Sequence, residues 1–593
     1  MTFSFEFIYT FSLLTLMTVL LFKDWFSTEI VIFSTTLLLL VGKIITIEEA
    51  FSGFSNTGVL TIGLLFVVAG SLQTTGALNY LTPYIFGTTP KNHRSKLVRI
   101  LLPISAFSAF LNNTPIVAMF IPIVRSWTQK YNLSPSKFFI PISYATILGG
   151  VCTLIGTSTN LVIHGLLIKN GYPGLSFFEI SKFGIPIAFI GLFYLVFFSN
   201  YLLPTRNIPF VELGQTTREF VCEFKITSAF PHIGKSIENA GLRHLKGLFL
   251  FQIERNGQII TAAGPEEKLL LNDRLFFTGI PQTIVELQKT PGLQLIKEST
   301  FDLKNYDSDE IKTYEAVIST SSPLIGKNVR ESNFRGKYGA VILAIHRNGE
   351  RVKKKIGDII LRPGDTLLLL AEKDFMKKWY HSNDFYLISS TSMVYSKPKW
   401  QARLSIFIFI SMILLTVFNL LPLIAAAGLA VIALVLSKSI SQTDAKEMID
   451  WKVLLIIGCT FGIASAIENS GIANFIGEIT INLATSFGTV GLLAGLYFLT
   501  SFYTSFITNN AAAAFLFPVA LSMAHSTGLD IRPFIMIVTI AASVDFATPF
   551  GYQTNLMVYG PGGYRFIDYL KIGIPLQIII AFTTIFLVNE YYF

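Results

Sequence analysis

The sequence contains few cysteines and few charges. Its three cysteines, Cys152, Cys222 and Cys459, lie far apart among 593 residues and form no CxxC pair. This spacing excludes a disulfide framework and a cysteine-based zinc site. Only 14% of the residues are charged, whereas 51% are hydrophobic. A soluble protein needs more polar surface to cover so many apolar side chains, so the bilayer must solvate part of the chain.

The hydrophobic runs form two blocks, about residues 5–203 and 400–592, with a polar insert between them. Runs such as Ile30–Leu40, Ile406–Val417 and Ile574–Val588 carry no charge and predict membrane-spanning helices. The net charge of +9 is concentrated between apolar runs, as in cytoplasmic loops, so we expect no nucleic-acid partner. The predicted domains are membrane repeat 1 at 1–205, soluble domains at 206–295 and 296–397, and membrane repeat 2 at 398–593.

The two membrane halves repeat one series of motifs. Gly63 pairs with Gly458 and Gly76 with Gly471, both at an offset of 395. SAFLNNT, GTSTN and SKFGIPI recur in the same order as SFITNNA, GYQTN and YLKIGIPL. Each half is interpreted as three plain spans, a re-entrant hairpin, a broken helix and a final span. Five crossings per half invert the second half, so we predict an all-α polytopic membrane protein with inverted repeats, which are typical of transporters.

Loop charge predicts the orientation. The connection PKNHRSKLVR carries Lys91, Arg94, Lys96 and Arg99, whereas the preceding ITIEEAFSGFSN carries no Lys or Arg. The positive-inside rule places the basic connection in the cytoplasm. We therefore expect a multi-pass protein of the inner (plasma) membrane, with a cytoplasmic insert and both termini outside.

The insert is itself duplicated. PHIGKSIENAGLRHLKGLFLFQIERNGQ and PLIGKNVRESNFRGKYGAVILAIHRNGE match at an offset of 92, which also pairs Asp273 with Asp365. Short β-rich runs with one helix predict a small α/β domain in each copy. Arg-Asn-Gly at 255–257 and 347–349 predicts hairpin turns, because Asn-Gly tolerates positive φ. The insert has no G-x-G-x-x-G phosphate loop and no nucleophile beside a base, so we expect no enzyme.

Four segments of the membrane halves are too polar to be plain spans. A broken helix is tolerated in hydrocarbon only where it lines a protein cavity or holds a ligand. Their side-chain and backbone oxygens suit dehydrated Na⁺, and helix N-termini suit an anion. A single Asn or Thr often only bonds a neighbouring helix, but four breaks in two related pairs favour a transport site. The breaks are Ser108–Pro115, Gly149–Asn160, Ser505–Ala511 and Ser543–Asn555.

One carboxylate lies inside the last of these breaks. Asp545 is a candidate coupling acid that would hold Na⁺ or carry H⁺, since an intramembrane carboxylate is costly to maintain without a function. The alternative is that it pairs with a nearby serine or backbone donor. A channel is a weaker hypothesis, because the chain has no TVGYG filter.

The paired hairpin motifs and the breaks ending in Thr-Asn resemble the divalent anion/sodium symporter family. The insert resembles two tandem RCK_C (TrkA-C) regulatory domains. The resemblance implies an elevator-type fold of the ion transporter superfamily and a homodimer. It also implies an inward hairpin in repeat 1, an outward hairpin in repeat 2, transported Na⁺ beside each, and the anion between the hairpin tips. A small regulatory ligand of unknown identity, with a nucleotide as one candidate, would act on the insert.

The resemblance also implies the site residues. The leading Ser of each hairpin motif is Asn here, and Ala511 lacks a hydroxyl that resembles a carboxylate-binding group of the dicarboxylate branch. Members with an RCK_C insert resemble the sulfate branch, so sulfate is expected, with a dicarboxylate symporter or a cation/proton antiporter as alternatives. The implied anion contacts are Asn112, Asn113, Thr114, Asn509, Asn510 and Ala511. The implied Na⁺ ligands are Ser108, Asn113, Gly156, Thr157 and Asn160 in repeat 1, and Ser505, Asn510, Thr548, Gly551, Thr554 and Asn555 in repeat 2.

Overall fold

The structure is a computed structural model that describes most of the chain. The described residues are 4–593 without 24–25, 78–91, 132, 207–220, 243–244, 246–247, 256–257, 262–265, 280–286, 288–289, 297–310, 320–321, 348–349, 353, 355, 373, 380–381, 383, 391–397, 485–486 and 506. Lys91 and the two Asn-Gly pairs of the predicted hairpin turns lie outside them.

The first membrane half is built from helices, because in hydrocarbon a helix pairs its own backbone groups. Polar caps mark some helix starts; the Asn56 side chain, for example, accepts a hydrogen bond from the Gly58 N–H at 2.8 Å. We call His93–Ser108 with Asn113–Lys130 the first hairpin, and Phe139–Gly150 with Ser158–Lys169 the first broken helix. The other helices are Phe5–Lys23, Thr28–Val41, Ile47–Phe51, Thr57–Thr74 and Ser181–Leu202.

In the second half a hairpin and a broken helix follow one another in the same order. We call Gly488–Thr504 with Asn509–Thr527 the second hairpin, and Ile531–Ser543 with Gln553–Tyr559 the second broken helix. All four predicted breaks are therefore interruptions between helices. The other helices of this half are Lys399–Val417, Leu423–Leu436, Gln442–Glu447, Trp451–Asn469, Ile472–Ala484 and Phe566–Tyr592.

Several helices are long and apolar enough to cross a membrane. Among the described residues, five reach that length and composition. Large apolar side chains such as Phe189, Phe407 and Phe582 are 72%, 69% and 68% exposed, as expected where lipid rather than water is the solvent. The chain is therefore a multi-pass membrane protein. The five long helical stretches are Ile47–Thr74, Ser181–Leu202, Trp400–Val417, Trp451–Asn469 and Phe566–Tyr592.

The insert contains two five-stranded antiparallel sheets of the same topology. The strands are β1 Val221–Ile226, β2 Leu248–Arg255, β3 Gln258–Thr261, β4 Arg274–Gly279, β5 Leu293–Leu295, β6 Ile311–Ile318, β7 Ala340–Arg347, β8 Glu350–Arg351, β9 Thr366–Glu372 and β10 Phe385–Ser390. The strand orders are β3-β2-β4-β1-β5 and, read from the same end, β8-β7-β9-β6-β10. Arg255 pairs with Gln258 and Arg347 with Glu350, so each predicted Asn-Gly turn is flanked by a closed hairpin. The second sheet also carries the short helices Phe334–Tyr338 and Phe375–Trp379.

An equivalent arginine–aspartate pair joins two strands of each sheet. Arg347 binds both carboxylate oxygens of the buried Asp365 at 2.7 Å, and Arg255 binds Asp273 in the same way at 2.9 Å. Burial raises the pKa of Asp365, and the Arg347 guanidinium opposes that rise. Loss of the arginine would leave a buried carboxyl group without its ionic partner.

The second sheet contacts the membrane halves directly. Arg125, on the second helix of the first hairpin, donates to Glu315 of β6 at 2.8 Å, and both side chains are buried. The neighbouring Val317 packs into the main membrane core. A Cβ on Gly560, just after the second broken helix, would lie only 2.8 Å from the Gly364 carbonyl oxygen. The sheet therefore rests on elements of both membrane halves.

We predict that Arg347→Met destabilises the second sheet by about 3 kcal/mol, because it leaves the buried Asp365 without its ionic partner. Hydrogen exchange of β7 and β9 in the full-length protein should accelerate roughly 100-fold. The control is Arg330→Met, which removes an ion pair whose side chains are 62% and 57% exposed, and it should change stability by less than about 0.5 kcal/mol. Equal exchange rates in the two variants would contradict this role of Arg347.

Candidate functional site

Two asparagines close the gaps in the broken helices. The buried Asn160 side chain donates to the carbonyl oxygens of Thr153 at 2.8 Å and Gly150 at 3.4 Å. At an offset of 395, the buried Asn555 donates to the carbonyl oxygens of Thr548 at 3.0 Å and Asp545 at 3.1 Å. Each amide thus binds carbonyls that the interrupted helix leaves without an intrahelical partner. The two breaks share one local architecture.

Glycines in the final spans allow close packing against both breaks. A Cβ on Gly184 would collide with the Val151 carbonyl, and a Cβ on Gly573 would collide with the Phe546 carbonyl. These glycines belong to the repeated SKFGIPI and YLKIGIPL motifs. The repeated motif therefore reflects a packing requirement beside each break.

The tip of the first hairpin binds the second broken helix. Ser108 Oγ donates to Asn113 Oδ1 at 2.6 Å, which turns the Asn113 amide nitrogen toward Tyr552, and that nitrogen donates to the Tyr552 hydroxyl. The Tyr552 hydroxyl is also hydrogen-bonded to Thr157 of the first break. Thr114 Oγ1 donates to Gln553 Oε1 at 3.0 Å. The hydrogen bonds of this tip therefore involve residues of both membrane halves.

The tip of the second hairpin binds the first broken helix. Asn510 Oδ1 accepts from Ser158 Oγ at 3.1 Å and from Thr159 Oγ1 at 3.3 Å. Thr504 Oγ1 lies 3.1 Å from Asn509 Oδ1 and 2.9 Å from the Ala542 carbonyl oxygen. Each hairpin tip therefore contacts the broken helix of the opposite half.

The broken helices also bind each other. Ser143 Oγ of the first is 2.9 Å from Thr554 Oγ1 and 2.8 Å from Asn555 Oδ1 of the second. In the reverse direction, Ser543 Oγ of the second lies 3.5 Å from Asn160 Oδ1 of the first. Thr554, Asn555 and Asn160 are all fully buried. The four breaks are therefore joined into one polar cluster, and its inner residues are buried.

Asp545 is the carboxylate of this cluster. Its side chain is fully buried and accepts from the Ala547 N–H at 3.3 Å and from Thr548 Oγ1 at 3.4 Å. Ser505 of the second hairpin is a further hydrogen-bond partner. A Cβ on Gly551 would collide with the carboxylate. Asp545 thus lies among Ser505, Thr548 and Gly551, three of the predicted cation ligands, while Gly150 occupies the equivalent position of repeat 1.

The predicted site residues lie in different surroundings. Ser108, Asn113, Gly156, Thr157 and Asn160 lie around the first break, where a Cβ on Gly156 would come within 3.0 Å of the Ala109 carbonyl oxygen. Asn510 belongs to the second hairpin, and its side chain accepts hydrogen bonds from Ser158 and Thr159 of the first broken helix, so it lies between the two halves. Asn112 lines an apolar pocket with Phe110 and Ser158, and Ala511 is buried.

The predicted site residues omit several side chains of the cluster, and four of these are Tyr552, Gln553, Gln577 and Ser143. Tyr552 and Gln553 lie inside the repeated GYQTN motif, and that position was a usable signal. Gln577 accepts from the Phe546 N–H and donates to the Val544 carbonyl, both at 3.0 Å. Ser143 is the fourth. Gln577 and Ser143 lie in ordinary apolar spans, so only the tertiary contacts identify them.

Apolar spanning helices surround a cluster of mostly neutral hydroxyl and amide groups. This arrangement is typical of a multi-pass membrane transporter. Among the described residues, no group of three or more His, Cys, Asp or Glu side chains could hold a transition metal. The profile of the citrate transporter (CitMHS) family matches residues 16–541 and 488–593. The chain belongs to this family, in agreement with its resemblance to the divalent anion/sodium symporters.

Similar proteins extend over nearly the whole chain. A Chlamydomonas reinhardtii protein named as a sulfur deprivation response regulator is 37% identical, over 94% of this chain and 97% of its own length. An uncharacterized transporter of Synechocystis sp. is 29% identical, over 96% and 94%. Sodium/sulfate cotransporter 1 of C. reinhardtii is 24% identical, over 94% and 87%. Among solved structures, S. agalactiae BusR with its busAB promoter DNA covers 34% of this chain and 97% of its own, at 16% identity, but its TM-score of 0.12 supports no conclusion.

Proposed function

We propose that the chain is a secondary active transporter that carries a small divalent anion, with sulfate as the leading substrate, together with Na⁺. The observation that carries the proposal is the convergence of all four helix breaks on one polar cluster with buried inner residues, with each hairpin tip bound to the opposite half. A membrane protein maintains such costly polar groups where they line a substrate path. The sodium/sulfate cotransporters among its relatives support this choice of substrate and coupling ion.

The cluster provides neutral groups for both ions. Around the first break, Ser108, Asn113 and Thr157 supply side-chain oxygens, and Gly156 and Asn160 lie beside them. The equivalent ligands of repeat 2 are Ser505, Asn510, Thr548, Gly551, Thr554 and Asn555. Hydroxyl and amide groups of the tips would bind the anion without a fixed opposite charge, which favours reversible release. The anion contacts are those of Asn112, Asn113, Thr114, Asn509, Asn510 and Ala511.

The transport cycle follows from the hairpins. In our proposal they re-enter the membrane from opposite sides, and the hairpins and broken helices move together as an elevator within a homodimer of the plasma membrane. The dense hydrogen bonding among the four breaks supports their moving as one body. The insert faces the cytoplasm and both termini face outside.

Proton coupling is the second candidate, and Asp545 is the observation that favours it. A buried carboxylate at one cation position is well placed to exchange a proton with the transported ions. We favour Na⁺ because repeat 1 holds Gly150 at the equivalent position, so a neutral site of the same architecture needs no acid there.

The insert would regulate transport through the second sheet. The buried Arg125–Glu315 pair joins that sheet to the first hairpin, and Gly364 packs against the chain that follows the second broken helix. A small ligand that stabilises one arrangement of the two RCK_C-like copies would then bias the transport elements, within the limit of its differential affinity for the two states. The Lys235–Arg243 and Lys327–Arg335 segments are candidate ligand contacts, and Arg243 lies outside the described residues.

We predict that Asn113→Ala and Asn510→Ala each reduce anion uptake by at least about tenfold, because each removes a side-chain amide that joins a hairpin tip to the opposite half. The measurement is radiolabelled sulfate uptake into proteoliposomes. Expression and dimerisation should not change. Asn474→Ala, which removes an exposed amide that accepts one bond from Ser522, is the control and should retain uptake. Retained transport in both tip variants would show that the anion site does not lie at the hairpin tips.

Coupling is tested by removing Na⁺ at constant pH, which should stop uptake. Asp545→Asn keeps the shape of the side chain and should leave most of the Na⁺-driven uptake. Uptake that instead follows an imposed proton gradient, and that Asp545→Asn eliminates, would identify the acid as the coupling group.

We predict that replacing residues 207–397 with a short flexible linker leaves measurable uptake at an altered rate. This design keeps Arg206 and its 2.7 Å ion pair with Asp568. Glu315→Gln should shift the rate in the same direction, because it removes the charge that holds Arg125, while Glu331→Gln on the exposed surface should have no effect. A folded, dimeric deletion protein without transport under any condition would make the insert part of the transport machinery.

A further inference from the structure

The two breaks differ at two positions of an otherwise identical motif. GTSTN at 156–160 becomes GYQTN at 551–555, so Tyr552 stands where repeat 1 has Thr157, and Gln553 stands where it has Ser158. Both replacements are larger side chains, and both belong to repeat 2. The backbone around them is held in the same way in the two halves, since Asn160 and Asn555 make equivalent bonds to the break carbonyls.

The larger pair reaches the first hairpin tip. Tyr552 is only 8% exposed, and its hydroxyl joins Asn113 to Thr157. Gln553 is exposed and accepts from Thr114 at 3.0 Å. On the opposite side, the smaller Ser158 and Thr159 reach Asn510. The larger side chains therefore lie on one side of the polar cluster only, beside the tip that carries the Thr114 hydroxyl rather than Ala511.

We infer that Tyr552 and Gln553 set the size of the transported anion and select a small tetrahedral oxyanion over dicarboxylates and tricarboxylates. The inference rests on the proposed anion-transport function and names the substrate class of that site. In this inference the buried phenol ring occupies volume beside the first hairpin tip that the threonine of repeat 1 would leave open to a longer carboxylate. The Tyr552 hydroxyl accepts from Asn113 and can donate its own proton, and the Gln553 amide nitrogen is a second donor, so both suit an oxyanion without adding a charge.

The ring and the hydroxyl have separable effects. Forcing a larger ligand against a packed side chain weakens its binding by about 5- to 150-fold, whereas loss of one neutral hydrogen bond weakens binding by about 2- to 13-fold. The ring should therefore control discrimination between anions, and the hydroxyl should control affinity for the small anion.

The test compares anions in proteoliposomes that contain the full-length protein. Tyr552→Thr with Gln553→Ser converts the motif of repeat 2 into that of repeat 1. We expect the preference for sulfate over succinate and citrate, measured by competition with labelled sulfate, to fall by at least about fivefold. Tyr552→Phe keeps the ring, so it should raise the sulfate KM while the preference stays within about twofold of wild type. Tyr172→Thr, at a half-buried tyrosine bonded to His525 and outside the polar cluster, is the control.

Two results would overturn the inference. One is a double variant that still takes up sulfate with unchanged discrimination; the other is a wild-type protein that prefers succinate or citrate. Gln553→Ser alone changes an exposed side chain, so it supplies the comparison if the double variant does not fold, and unchanged discrimination there would also count against the inference. A wild-type protein that transports none of these anions would instead refute the proposed function itself.

Discussion

The membrane halves depend on one constraint: a helix interrupted inside a bilayer must find partners for the backbone groups that the interruption exposes. Asn160 and Asn555 meet this requirement in the two broken helices, each with two hydrogen bonds to carbonyl oxygens of the break. Gln577 does the same for the Phe546 N–H and the Val544 carbonyl. Once the breaks are stabilised in this way, side chains at their ends can form hydrogen bonds with side chains of the other membrane half.

The contacts between the two halves are asymmetric, although the motifs are repeated. Asp545 stands opposite Gly150 in the alignment of the halves, and Tyr552 stands opposite Thr157. Each difference changes the chemistry of one side while the supporting bonds stay the same. Duplication thus supplies a common scaffold, and a few substitutions on one copy make the two halves chemically different.

The positions of the breaks could be predicted from the sequence, because Gly, Asn and Thr clusters in otherwise apolar runs have few structural alternatives. The repeat offset could likewise predict that Asn160 and Asn555 have equivalent environments. The partners across the halves could not be predicted. The resemblance places Asn510 at the second tip with Thr548 and Asn555 opposite, and it gives no indication of the bonds that its side chain accepts from Ser158 and Thr159. Periodicity describes which face of a helix is apolar, but it carries no information about which helix lies opposite.

The Arg125–Glu315 contact shows the same limit. In the sequence, Arg125 looks like a basic residue near a helix end, and Glu315 like an ordinary residue of a soluble strand. The two residues lie 190 positions apart in the sequence, yet they form a buried contact between a membrane hairpin and the insert. Loop charge predicted where the insert lies, but only the folded chain identifies which membrane element it contacts.

The bonds between the halves also set an order of events during synthesis. Asn113 and Tyr552 are 439 positions apart, and Ser158 and Asn510 are 352 apart. At about 5–20 residues per second, the ribosome needs roughly 20–90 s to make the segment that completes the first hairpin tip. During that interval the first half is already in the bilayer with polar side chains that lack their final partners. The newly made half must therefore rely on water, lipid headgroups or an insertion factor until its counterpart emerges.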